Sequence, residues 1–271
     1  MEKLVYELSY WINERWSIRE KRAQGLPPPW SRDRIFNSVR FCNVHREDDR
    51  VTKWVRTHWN RADDPAWRFV VARMINWPDS LEELMDFTTP DEMLDVMKYR
   101  RARGHKVFTS AYTVSTSGRK MDKLDYVFNF VVPKVHVERY ASLEETSFWL
   151  SQTDGLGSFL AAQVIADMKN TVGHPLHTAP DWWTWSAPGP GSLRGLSWFF
   201  CGEPTGIPAN DYWMRLEDCR ELVDPRIDPS VPRISNQDFQ NCLCEFSKWC
   251  KVKYLGGHVR NTYNPFSKDS Q

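Results

Sequence analysis

The sequence is short of several things, and each shortage removes a class of protein. Across 271 residues, 36 Lys and Arg face 35 Asp and Glu, a formal net charge of +1. That excludes a histone-like or tail-type nucleic-acid binder while leaving room for a local basic stripe. No GxxxxGK[ST] occurs anywhere, so this chain alone is not expected to phosphorylate a nucleotide. HExxH is missing too, and the six cysteines, at 42, 201, 219, 242, 244 and 250, form no CxxC pair. The spacing of Cys242, Cys244 and Cys250 does not match a four-cysteine iron–sulfur pattern, so no metal or other cofactor is assigned. No apolar run approaches the roughly 20 residues that span a bilayer. The N-terminus MEKLVYELSYWINERW is charged from its second residue, unlike a secretory signal. No membrane partner is expected, and free thiols point to a reducing, cytoplasmic setting.

What is abundant is aromatic. There are 14 Trp, 14 Phe and 9 Tyr, side chains that suit an irregular core or a surface that stacks on bases. Basic stripes do occur, in RWSIREKR (15–22), VTKWVRTHWNR (51–61) and YRRARGHK (99–106). Each is either part of a DNA footprint or a solvated helix face.

With no internal repeat, low-complexity tract or linker, residues 1–271 read as one mainly helical domain. An amphipathic helix over 1–24, closed by GLPPPW, packs on it, and a polar tail over 256–271 frays. A second helical region runs from about 31 to 60, with Ser31 as its N-cap. Further helical patterns cover about 64–76, 80–86 (capped by Asp79 or Ser80), 90–103 (Thr89 then Pro90), 121–138, 141–152, 156–170, 208–223 and 235–252. KVFTSAYTVSTS, 106–117, is the one β-prone stretch, a short extended segment or hairpin at most. The Pro/Gly/Trp region after 170 reads as a long, functional loop.

Three stretches carry chemistry. In FCNVHREDDRVTKWV (41–55), a helical wheel places Phe41, Val44, Val51 and Val55 on one stripe with Asp48 inside it. A core-facing carboxylate must be paired, with Arg40 or another arginine nearby as the expected partner. Beside it Asn43, Glu47, Arg50 and Trp54 form a second column, either a cleft wall or a salt-bridged face. In LSQTDGLGSFLAAQVIADM (150–168), two helical patterns meet at a GxG turn, the pattern of a helix-hairpin-helix. Glycine permits positive φ and close approach, and the unpaired amides of the following helix accept an anion such as a DNA phosphate. Gly155, Gly157 and Ser158 are therefore candidate DNA contacts, and Lys248 near the C-terminus either joins them or covers a helix end. In APDWWTWSAPGPGSLRGL (179–196), three tryptophans follow Asp181, crowding that raises a carboxyl toward general-base duty. Gly189, Gly191 and Ser192 read as a second glycine-rich turn leading to Arg194, with donors for a phosphate.

Taken together and in this order, RFCNVHREDDRVTKWV, GLGSFLAAQVIADM, APDWW and GPGSLRGL resemble the alpha-glutamyl/putrescinyl-thymine pyrophosphorylase family, the amino acid:DNA transferases. They are also similar to the helical domain attached to 5-hydroxymethyluracil DNA kinases, mostly of bacteriophages. The resemblance spans roughly residues 15–255, and its most specific part is NVxREDDR. It implies a fold like the helix-hairpin-helix DNA glycosylases. It also implies a reaction in which an amino acid or polyamine replaces phosphate or pyrophosphate on phosphorylated 5-hydroxymethyluracil in DNA, after a kinase has acted. The family's motifs fall here on Asn43, Arg46, Glu47, Asp48, Asp49 and Arg50, and on Asp181, Gly189, Gly191, Ser192 and Arg194. Asp181 and Glu47 are the candidate bases, Arg50 and Arg194 hold the leaving phosphate, and Trp182, Trp183, Trp185 or Trp54 meets an extruded base. The alternatives are a glycosylase, with Asp181 supporting base loss, and a DNA-binding helical partner of a kinase.

Overall fold

The structure is a computed structural model, and it describes residues 2–59, 65–109, 115–259 and 262–266. In chain order the helices are α1 (Glu2–Ala23), α2 (Arg34–Ser38), α3 (Arg50–His58), α4 (Ala66–Ile75), α5 (Pro78–Glu82) and α6 (Pro90–Ala102). They continue with α7 (Lys123–Asp125), α8 (Leu143–Ser151), α9 (Gly157–Asn170), α10 (Pro190–Cys201), α11 (Tyr212–Val223) and α12 (Asn236–Leu255). No strand occurs among the described residues, only an isolated antiparallel bridge between Val39 and Thr262. The middle of the expected β-prone stretch, 110–114, lies outside the described residues.

Where the sequence reads as one domain, the chain folds into two compact units. The first joins Met1–Arg46 to Pro188–Gln271, and the second is the continuous insert Glu47–Ala187. Each has its own core. In the first unit α1 buries Leu8, Trp11 and Ile12 among Phe36, Phe41, Leu196, Leu243 and Phe246. Its closest helix pair is α10 on α12, and glycine is the reason. A Cβ on Gly195 would lie 2.2 Å from the Leu243 carbonyl oxygen, and one on Gly191 would lie 2.3 Å from the Cys244 sulfur. The expected turn over 189–192 is thus the start of a helix: Pro190 sits in the first turn, Gly191 faces α12, and Ser192 is buried. In the sequence, PGPGS masks this helix because glycine and proline weigh against helix in the interior, whereas here they sit at the first turn or in a tight helix contact.

The region 31–60 is not one helix. Asp33, not Ser31, caps α2 by accepting the Ile35 amide, and the chain is extended or turning until Asp49 caps α3. Asp49 accepts the Val51 and Thr52 amides at 3.0 and 3.3 Å. The wheel drawn through Phe41–Val55 therefore breaks, and only Arg50 and Trp54 of its polar column share a helix. Asp48 is buried as expected, and Lys53 pairs with it at 2.9 Å. Helix α5 starts two residues earlier than an Asp79 cap would place it and three earlier than a Ser80 cap, from Trp77 with Pro78 in the first turn. At α6, Thr89 and Glu92 form a reciprocal capping box, as the local sequence indicates. The pattern at 121–138 becomes three residues of α-helix, a π-turn over Tyr126–Val131 and a 3-10 turn over Val132–Lys134. The described part of the tail docks: Tyr263 donates its amide to Ser38, and Val259 and Tyr263 pack on the first unit's core.

The second unit is organised around α9, against which α3, α4 and α8 pack. At its centre is an ion pair with no solvent access. Arg73 of α4 donates to both oxygens of Asp167 of α9, each at 2.5 Å, and also to Thr52 and Asp49 of the α3 start. Burial pushes the Asp167 carboxyl above its ordinary range, against the pull of Arg73. One guanidinium thus ties three helices together, and it has the five donors to do so.

Candidate functional site

The acidic motif lies at the head of the second unit, and its charges are largely taken up internally. Glu47 is exposed and accepts from Arg56 at 3.0 Å; Arg50 is exposed, reaches Asp79 at 3.2 Å and lies over the Trp77 ring. Asp48 meets Lys53, and Asp49 serves as the α3 cap and a partner of Arg73. Just before the motif, in the first unit, Asn43 accepts from the buried Arg15 and its carbonyl accepts from Asn241. Burial pulls Arg15 down to about 10, so it still carries its charge at neutral pH. The Arg46 amide is fixed by the buried Asp238 carboxylate at 2.7 Å.

Asp181 takes a different position from the one its tryptophans suggest. Its two oxygens accept the amides of Leu143 and Glu144, at 2.8 and 3.0 Å, at the first turn of α8. A carboxylate there satisfies two orphan amides and meets the positive end of the helix dipole. Among the three tryptophans that follow, Trp185 is buried in the core, while Trp182 donates to the Lys169 carbonyl and packs edge-on against Trp183. Asp181 therefore holds α8 in place, and the hairpin that α8 leads into.

That hairpin is built as the pattern implied. Gly155 has φ +102° and Gly157 φ +56°, both left-handed. A Cβ on Gly155 would fall 2.6 Å from the Tyr126 hydroxyl and 2.8 Å from Val131, so the π-turn packs against it closely. Among the described residues no side chain caps α9, whose first residues Gly157, Ser158 and Phe159 are exposed. Beside the turn, Asp154 pairs with Arg119 at 3.2 Å and Lys134 at 3.3 Å, and both cations lie over the Phe130 ring.

In the first unit, the α10–α12 packing brings Arg194 and Lys248 to one cavity of about 600 Å³. Arg40, Lys251 and His258 line it as well. Ser192 does not reach it with a free hydroxyl: its oxygen is bonded to Gly189, closing the first turn of α10. Gly189 and Gly191 thus have capping and packing tasks rather than forming a separate phosphate turn.

A family model described as "5-hmdU DNA kinase, helical domain" matches residues 2–256. The chain belongs to this family. A curated member of the 5-hmdU DNA kinases, from Bacillus phage SP10, is 25% identical over 231 residues. That alignment covers 70% of this chain and 36% of the phage kinase, so this chain spans about a third of that relative's length. No solved structure matches.

Within this helical-domain family member, sequence reasoning missed the residues that hold the motifs in place. Arg73 and Asp167 are 94 positions apart, and Glu245, which accepts the Cys42 amide, is 203 positions from it. The one available signal was a charge inside an apolar run: Arg73 in FVVARMI and Asp167 in AAQVIADM. The CxC…C cysteines are α12 residues, of which Cys242 and Cys250 are buried, and burial pushes both thiols up.

Proposed function

We propose that this helical domain grips DNA through the Gly155–Gly157 hairpin and transfers an amine to a phosphorylated 5-hydroxymethyluracil in that DNA. The observation that carries the DNA half is the uncapped start of α9 beside Arg119 and Lys134. A helix start at exposed residues and two cations beside it suit a backbone phosphate without reading sequence. The fold that the transferase resemblance implies, one like the helix-hairpin-helix DNA glycosylases, agrees with the same reading. The transfer half rests on the resemblance to the amino acid:DNA transferases and on Glu47 and Arg50 as the motif's exposed acid and cation. In this reading the amine nitrogen bonds to the base's exocyclic methylene carbon, and the carbon–oxygen bond to phosphate or pyrophosphate breaks. Glu47 takes the ammonium proton, while Arg50 meets the departing anion. The functional link is to a kinase that prepares the substrate, and the co-substrate is an amino acid or polyamine.

The test is incubation with DNA bearing the phosphorylated base and a panel of amines, followed by mass spectrometry of the digested nucleosides. A nucleoside carrying the added amine is expected; free base and abasic sites would indicate a glycosylase instead. A second reading has its own support. Each carboxylate of Glu47–Asp49 already has a cationic partner, which fits a DNA-binding partner of a kinase. It predicts DNA binding with no new nucleoside and no loss of binding in Glu47→Gln.

A further inference from the structure

We infer that the cavity of the first unit is a binding site for a phosphorylated nucleoside, with phosphate on its cations and the ring on its apolar wall. The inference stands on the first unit alone and does not depend on amine transfer.

The charge of the lining is one-sided. Arg40, Arg194, Lys248 and Lys251 are cationic side chains, His258 adds an imidazole, and no carboxylate lines the cavity among the described residues. Glu245 holds Lys248 from below at 2.5 Å, and Lys251 donates to the His258 carbonyl. Arg40 and Arg194 are exposed and have no ion pair or side-chain hydrogen bond among the described residues. Two forked guanidiniums left unpaired at one cavity form a receptor for an oxyanion that can accept in pairs, which phosphate does. Burial opposes the charge on Lys248, but Glu245 outweighs it and raises its pKa, so the ammonium stays charged at the cavity wall.

The remaining wall is mostly apolar, with Val39, Trp198, Pro204, Leu255 and Val259, and it also includes Cys244 and Ser247. A bare inorganic anion would leave it unused. Trp198 is almost fully buried, backed by the Tyr254 ring at 5.6 Å, and its indole N–H has no acceptor among the described residues. A flat, apolar body such as a nucleobase suits such a wall. The volume, about 600 Å³, falls within the range for small-molecule sites. The base-plus-phosphate chemistry has two sources, a free nucleotide or one nucleotide of a strand.

Equilibrium dialysis of the full chain with labelled thymidine diphosphate tests this, with thymidine, inorganic pyrophosphate and a short thymidine oligonucleotide as competitors. Saturable binding is expected, with thymidine and pyrophosphate each at least tenfold weaker. The double variant Arg40→Ala/Arg194→Ala should bind at least tenfold more weakly, with an unchanged melting curve because both side chains are exposed. Arg139→Ala, an exposed residue of the second unit, should leave binding unchanged. Competition by the oligonucleotide in the nucleotide's own concentration range, lost in the double variant, would assign the site to a strand; no competition would assign it to a free nucleotide. Absence of saturable binding, unchanged affinity in the double variant, or pyrophosphate binding as tightly as the diphosphate would each overturn the inference.

Discussion

The two units handle charge in opposite ways. The second unit turns it inward: Arg73 and Asp167 sit at the centre of the packing of α3, α4 and α9, and the acids of the REDD motif are paired around them. The first unit buries an aromatic core and packs α10 on α12 through two glycines, leaving Arg40 and Arg194 at a cavity with no ion-pair partner among the described residues. A charged motif and a charged site are therefore different things. Charges that neutralise each other inside a unit organise its fold, whereas cations at an accessible surface or cavity wall can attract an anion.

The comparison can be broken most directly at the inward charge. Arg73→Ala should destabilise the second unit by about 3–5 kcal/mol, since it strands a buried carboxylate. Arg73→Met with Asp167→Leu should cost clearly less than either single change, measured by denaturant melts. Equal costs would mean that the pair is not the organising contact. Next is His174, buried between Phe69 and Tyr140, where burial pulls its pKa from 6.5 to about 4. The folded state resists protonation, so this contribution is complete above pH 6.5 and is lost as pH falls toward 4, roughly 3 kcal/mol in all. His174→Asn keeps the acceptor for the Leu176 amide and should flatten the stability profile in that window.

In the first unit, Gly195→Ala forces a methyl against the Leu243 carbonyl and should cost about 1–3 kcal/mol. It should also widen the α10–α12 contact and weaken whatever the cavity binds. An exposed control such as Gly202→Ala has space, but its φ of +78° makes it strained, so Ser151→Ala is the cleaner reference. The smallest effect sharpens the picture at Asp181. Asp181→Ala removes the acceptor of two α8 amides and should lower stability by about 0.5–2 kcal/mol. If transfer activity falls by orders of magnitude while α8 stays folded, Asp181 has a chemical task beyond holding the helix.

Much of the second unit was legible from short range. The Thr89–Pro90 start of α6, the helical pattern at 141–152 and the GxG turn are each set within a few residues, and each formed where the pattern put it. Where reading failed, neighbours competed with distant contacts. PGPGSLRGL carries the residues of a turn, yet it is helical because α12 presents Leu243 and Cys244 to its glycines. Phe41–Val55 has an unbroken helical period, yet its first half leaves the helix to hand Asn43 to Arg15 and the Arg46 amide to Asp238.

Composition, helical periods and caps were enough to establish a mainly helical chain, its hairpin and its candidate charged motifs, because those depend on contacts a few residues apart. The division into a discontinuous and an inserted unit, the burial of Arg73 with Asp167, the capping role of Asp181 and the cavity shared by Arg194 and Lys248 came only from the folded chain. Each joins residues whose separation along the backbone carries no periodic signal, and desolvation and close packing act on distance in space.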